Sequence, residues 1–272
     1  MTKFLKGIVI VLLTFCISTA AFADVTFVNS TSGATHGNVS SVTFAYTVTS
    51  GSSNYALIVL ASTTANTPAN AVITGITYNS VALTKVTDQT NGAERAEAWY
   101  LLNPLVGSSA NIVITYTGFT TRGVYGAASF ANVDQTTPID DFDGVNSAGA
   151  THPTVTLNPT VAGTMAVDNV SAAGTSGRTL TADGTQSEMW DLMLNNTAMG
   201  SGSYLAVPGS SNQATGYVIS SSAAYGYVAF LLKPVTGGGG SSIKTGNGLA
   251  VASVKTWQNL AIASTKSKNG LQ

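Results

Sequence analysis

The chain has 272 residues, of which 44% are hydrophobic and only 8% charged, with a formal net charge of −1. Average soluble domains are about 25% charged, and disorder requires high charge with little apolar content, so this composition argues for a folded chain surfaced by Ser, Thr, Asn and Gly. From Asp24 to Thr236 there are 12 acidic and five basic residues, a balance that argues against nucleic-acid binding, whose affinity comes mainly from neutralising phosphates.

The N-terminus places Lys3 and Lys6 before an apolar run from Ile8 to Leu13 that extends through Phe15 and Ile17, then Ala21-Phe22-Ala23 before Asp24. Charge, a short apolar stretch and a small-x-small site form the pattern of a secretory signal peptide. Residues 1–23 are expected to be removed, giving a secreted, extracellular or cell-surface protein. The apolar run is too short for a membrane span, which needs about 20 apolar residues, and no later segment comes close, so no membrane span is expected. Cys16, the only cysteine, lies in the removed segment, and Phe15 stands where lipoprotein processing needs a small residue. The mature chain is left without disulfides or cysteine metal sites.

Residues 24–236 alternate apolar and polar positions in short runs broken by Gly, Pro and Asn: Val42 to Val48, Tyr55 to Ala61, Ile73 to Tyr78, Ala96 to Leu102, Ile112 to Tyr116, Met165 to Val170, and Tyr225 to Leu232. Period two marks strands. Tyr78-Asn79-Ser80-Val81 predicts a tight hairpin, because Asn79 tolerates the positive φ that such turns require. No stretch sustains helical spacing. The expected fold is all-β, an antiparallel two-sheet sandwich of jelly-roll type. Two smaller sandwiches divided near Asp143 to Pro153 form the alternative.

Residues 237–242 are Gly and Ser only and read as a flexible linker; the Lys-Ser/Thr pair of a phosphate-binding loop does not follow. In 243–272 an 11-residue unit recurs three times, headed by Ile243, Val254 and Thr265, with Lys244, Lys255 and Lys266 in register. Gly248, Asn259 and Gly270 fall where three-residue hairpin loops need a left-handed residue, so the unit predicts a short β-repeat tail. An isolated two-stranded ribbon is barely stable in water. The tail therefore needs a partner surface, with Leu249, Val251, Trp257, Leu260 and Ile262 as its assembly side chains. Self-association through the tail is expected on that ground.

The string from Ile243 to Lys255 resembles tails found on many bacterial and phage surface proteins. Ala96-Glu97-Ala98-Trp99-Tyr100-Leu101 and Val133-Asp134-Gln135-Thr136-Thr137-Pro138-Ile139 resemble a large family of secreted and virion-attached β-sandwich modules. The resemblance implies an extracellular or appendage setting and no catalytic residue.

Four groups of side chains are candidates for chemistry or binding. His36 and His152 sit beside turn residues, without the Gly-x-Ser-x-Gly elbow of a hydrolase or the spacing of a metal pair. Glu94 and Glu97 flank Arg95 ahead of Trp99, and Glu188 and Asp191 flank Trp190, which resembles the paired carboxylates beside aromatics of glycosidases; alternation puts Glu97 with Trp99, and Glu188 with Trp190, on one face. Asp140, Asp141 and Asp143, with Asp134 upstream, form the densest acidic group and a candidate structural calcium site. Trp99, Tyr100, Trp190 and Tyr204 are candidates for a sugar-stacking platform, although such rings also fill β cores. Taken together, the expectation is a secreted, non-catalytic recognition or adhesion module for a glycan or cell-surface polymer. The alternatives are a structural subunit that assembles through its tail and, less favoured, a glycan-active enzyme using Glu97 or Glu188.

Overall fold

The computed structural model describes residues 23–64 and 72–235. The expected signal peptide up to Phe22, the Gly/Ser linker, and the repeat tail with Leu249, Val251, Trp257, Leu260 and Ile262 lie outside the described residues.

Each regular element among the described residues is a strand: β1 (Thr26–Thr47), β2 (Ala56–Thr64), β3 (Ile73–Tyr78), β4 (Val81–Ala82), β5 (Thr84–Asn91), β6 (Glu94–Leu102), β7 (Ser109–Ala131), β8 (Ile139–Ala150), β9 (Thr154–Leu157), β10 (Thr164–Ala173), β11 (Leu180–Ala182), β12 (Ser187–Leu194), β13 (Ala198–Val207), β14 (Gln213–Ile219) and β15 (Ala223–Leu232). They form a seven-stranded sheet in the order β4-β3-β7-β2-β6-β5, with β1 also on β7, a five-stranded sheet β12-β13-β10-β15-β8, and a three-stranded sheet β11-β14-β9. The strand ladders are antiparallel throughout.

The two longest strands organise the first sheet. β7 pairs with β1 along its length, and its other edge serves β3 through Ile112 to Tyr116 and β2 through Arg122 to Phe130. Ile112 and Tyr125, from opposite halves of β7, belong to one apolar cluster with Leu57, Val59 and Tyr78. The sheet thus curls back over a core of its own. Its other face packs on the five-stranded sheet: Ala56, Ile58 and Leu60 of β2 meet Met165 and Val167 of β10 and Phe230 of β15. The opposite face of β10 offers Ala166, Val170 and Ala172 to Leu157, Tyr217 and Ile219 of the small sheet.

β2 and β10 therefore carry apolar cores on both faces, which is why Ala56-Leu57-Ile58-Val59-Leu60-Ala61 is buried without a break. Full burial of a Leu, Ile or Phe side chain is worth about 1.5–3 kcal/mol. Three stacked cores supply that stabilisation many times over.

The all-β sandwich expected from periodicity is present, and the seven strand runs read from the sequence fall on β1, β2, β3, β6, β7, β10 and β15, with Val48 as a one-residue bridge beyond β1. The strand path differs from a jelly roll. A jelly roll builds its two sheets from interleaved Greek keys, whereas this chain completes its first sheet at Ala131 before starting the second at Ile139. A third small layer is added. The crossing between sheets occurs at 132–138, ahead of the Asp143 to Pro153 boundary considered from sequence, and both sheets line one shared core.

Candidate functional site

The aromatic platform expected from sequence is corrected at its two tryptophans. Trp99 is 7% exposed and Trp190 is 6% exposed, so neither ring has a free face for a sugar. Trp99 lies on the inner core of the first sheet, donates from Nε1 to Glu97 Oε2 at 3.0 Å, and has Lys85 Nζ at 5.2 Å from its ring centre. Trp190 enters the core between the two large sheets, where the bare backbones of Gly126 and Gly202 make room for the indole: a Cβ on either would meet its Nε1. Tyr204 is half-buried, and one ring face is stacked on Phe27 at 4.6 Å between centres. Tyr100 is half-buried against the same core. The four rings do not form a common exposed surface.

The paired carboxylates also separate. Glu94 and Glu97 are three residues apart on a strand that pairs with β2 without a register shift, so they face opposite sides of the sheet. Glu97 is fully buried, with Lys85 Nζ at 3.0 Å from Oε2 and Arg95 Nη1 at 3.7 Å from Oε1, while Asp88 bridges to the same Lys85 and Arg95 at 3.2 and 2.5 Å. Burial raises the Glu97 pKa, and Lys85 and then Arg95 pull it back. Glu94 is 4% exposed and accepts from Thr64 Oγ1 at 2.7 Å; burial pushes it up to about 7.

On β12 a bulge between Glu188 and Trp190 breaks the two-residue alternation, so Glu188 opposes Ser203 while Trp190 opposes Gly202. Glu188 and Trp190 therefore do not share a face, contrary to the sequence expectation. Glu188 and Asp191 are both at the surface. Asp191 is pushed up to about 6, first by burial of its carboxyl and then by the Glu188 charge.

Sequence reasoning passed over the most heavily hydrogen-bonded carboxylate. Asp168 of β10 is 1% exposed and accepts from Ser203 N at 3.0 Å, Ser203 Oγ at 2.6 Å, Gln186 Nε2 at 2.7 Å, Tyr227 OH at 3.0 Å and Tyr217 OH at 3.3 Å. Burial pushes its pKa up to about 7 against the pull of these donors. The neighbouring Asn169 faces the other way and joins the large sheets, donating to Ala61 O and Glu97 O at 2.9 and 3.1 Å and accepting from Ser62 Oγ at 2.8 Å. Both residues sit inside the apolar run Met165 to Val170. A polar pair in the middle of a buried strand was the signal that could have found them.

The three aspartates expected to hold calcium serve the backbone instead. Asp140 accepts from Thr160 N at 2.6 Å and from the Thr160 hydroxyl, and Asp141 accepts from Asn158 N at 2.7 Å. Asp143 accepts from Gly144 N at 2.7 Å. Asp134 caps the turn at Thr136 and Thr137 at 2.8 and 2.9 Å. Among the described residues no group of three or more His, Cys, Asp or Glu side chains could hold a metal ion, which corrects the calcium expectation. His152 pairs with Asp183 at 2.5 Å between Nε2 and Oδ2, and His36 lies on β1 opposite Arg122 of β7.

Open space is found elsewhere. A cleft of about 400 Å³ lies where the β3–β4 turn meets the start of β7, with Thr77, Asn79, Ser80, Ser109 and Asn111 as its polar groups and Ala110 and Val113 beside them. Its frame is rigid. Asn79 N donates to Asn111 O at 3.1 Å, Tyr78 pairs with Ile112, and the Tyr78 hydroxyl has its single proton within reach of two acceptors, Tyr46 O at 3.3 Å and Leu105 O at 3.2 Å. Asn79 and Ser80 both hold left-handed backbones, with φ of 49° and 64°. A smaller hollow of about 170 Å³ near Asp183 is lined by Thr154, Gln186, Gln213 and Thr215.

No protein-family model, curated protein or solved structure matches this chain.

Proposed function

We propose that this chain is an exported, non-catalytic recognition module that binds glycans or a similar hydroxyl-rich polymer at a cell surface. The observation that carries the reading is the division of labour among its polar groups. The buried carboxylates Glu94, Glu97 and Asp168 are engaged by partners inside the fold, whereas the cleft at the β3–β4 turn is lined by neutral amides and hydroxyls. Recognition of sugars needs groups that both donate and accept, and Asn, Ser and Thr supply them. Export is supported by the charge and apolar pattern up to Ala23, and a surface setting by the resemblance of the tail and body segments. The test is binding of the purified chain to a glycan array and to whole cells, with a same-sized unrelated sandwich as control. Binding above control is expected; none on either surface sinks the reading.

A second reading is favoured by one observation. β12 ends the order of the five-stranded sheet and carries Glu188 and Asp191 without a basic residue, while residues 243–272 contain four lysines and no acid. An edge strand can accept a strand from another chain, and opposite charge would favour the tail as that strand. Light scattering on the full chain and on one ending at Thr236 tests it, and equal monomer masses would end it.

A further inference from the structure

We propose that the cleft between the β3–β4 turn and the start of β7 is a binding site for a neutral sugar ring, and that Ser80 is held in a left-handed backbone in order to present its hydroxyl there. This deepens the recognition reading above and rests on it. The first argument is chemical. All seven lining residues are uncharged, so a charged ligand would shed water without gaining a counter-charge. Asn79 and Asn111 each offer one acceptor and two donor positions, and Thr77, Ser80 and Ser109 each donate and accept. A ring bearing several hydroxyls can use both kinds of group, since each hydroxyl donates and accepts. Val113, on the same outward face of the sheet as Asn111, adds apolar contact for its C–H face.

The second argument is size and order. About 400 Å³ is at the small end of ligand sites, which run from about 300 to 1,000 Å³, and suits one or two rings. The walls need little rearrangement, because Tyr78 and Ile112 beneath them are fully buried and the turn is tied to β7 through Asn79 N and Asn111 O. Groups already fixed in place lose little freedom when a ligand arrives.

The third argument is the turn itself. Two-residue hairpin turns with both central residues at positive φ favour Asn-Gly. Here the second position is Ser, at φ 64°, where Gly would sit without strain. A side chain kept against that preference calls for a role beyond the turn, and this one lines the cleft.

The experiment uses the full chain with Ser80→Gly and Asn111→Ala. Titration calorimetry with free neutral hexoses and N-acetylhexosamines is run beside uronic and sialic acids. The wild type is expected to bind a neutral sugar and no acidic one, with an affinity flat from about pH 5 to about pH 9 because no lining group titrates. Ser80→Gly is expected to raise Tm while weakening binding roughly tenfold, and Asn111→Ala to weaken it at least as much, since each removes hydrogen bonds to the ligand. A merely structural Ser80 would raise Tm on replacement and leave binding alone. Unchanged affinity in both variants, or preference for acidic sugars, overturns the site. If the array and cell binding persist in both variants, the recognition reading stands and this cleft is not its site. If the wild type binds neither array nor cells, both fall.

Discussion

The side-chain amide of Asn169 on β10 donates to the main-chain oxygen of Glu97 on β6 at 3.1 Å, so the two large sheets are joined by a directed bond as well as by apolar contact. The same amide reaches Ala61 O, and Ser62 Oγ returns a bond to Asn169 Oδ1. Asn169→Leu keeps roughly the side-chain volume and removes all three bonds. Because buried groups left unpaired cost about 1–3 kcal/mol each, the variant is expected to lose about 3 kcal/mol or more. Urea unfolding checks this, and a midpoint within error of wild type would show that apolar contact alone holds the sheets.

Asp168 is the acceptor for five donors from four residues. Asp168→Ala leaves the hydroxyls of Ser203, Tyr217 and Tyr227 pointing at an empty space, and is expected to cost more than about 3 kcal/mol. Asp168→Asn keeps one acceptor oxygen but aims an amide at the same donors, so it should fall between wild type and Ala. Equal thermal stability of the three proteins would refute the role given to this network.

Stability should depend on pH with an unusual sign. Glu94 and Asp168 have folded pKa values near 7, above those of a carboxyl in an unfolded chain, about 4. The folded protein then binds their protons more tightly, so their contribution is complete below about pH 4 and is lost as pH rises through about 7. Thermal melts are expected to show a higher Tm at about pH 5 than at about pH 8. Glu94→Gln keeps an oxygen for Thr64 Oγ1 and cannot ionise, and should reduce the fall by about 1–3 kcal/mol. The same slope in wild type and variant would remove Glu94 from the explanation.

Trp190 and Gly126 test the close approach of the sheets. A Cβ on Gly126 would overlap the indole Nε1 of Trp190, and overpacking a core costs about 1–3 kcal/mol or more. Gly126→Ala is expected to destabilise strongly, and Trp190→Phe, which withdraws the indole nitrogen, to recover part of the loss in the double variant. Additive costs in the double-mutant cycle would show that the contact is not what constrains position 126.

What the sequence displays and what it hides follow from particular residues. β2 and β10 show themselves as apolar runs because cores lie on both of their faces. The stretch from Ser30 to Ser41 in β1 is rich in Ser, Thr and Gly and reads as loop, yet it is strand because β7 pairs with it almost throughout. Strict alternation puts Trp190 on the face of Glu188, and the bulge between them breaks that alternation. The cleft was illegible for another reason: Asn79 and Ser80 belong to a turn, Ser109 and Asn111 to a strand start some thirty residues on, and such residues in isolation signal turns. Only the pairing of β3 with β7 brings them together.

The acidic cluster on β8 gives the last prediction. Asp141 accepts from the backbone N–H of Asn158 at 2.7 Å and from its side chain at 3.3 Å, and Asp140 holds Thr160 N at 2.6 Å while Lys233 Nζ lies 3.7 Å from it. These carboxylates secure the segment that carries β9 into β10. A cation would have to break those bonds to gain ligands, since hard cations require several oxygens at once. Calcium and EDTA are therefore expected to leave Tm unchanged. Asp141→Ala should cost about 1 kcal/mol by releasing a backbone donor at a partly solvated site, with faster amide exchange at Asn158. Asp141→Asn should lie between, because an amide oxygen can still accept from Asn158 N. A Tm that rises with added calcium in wild type and not in Asp141→Ala would restore the metal site and displace the loop-anchoring role.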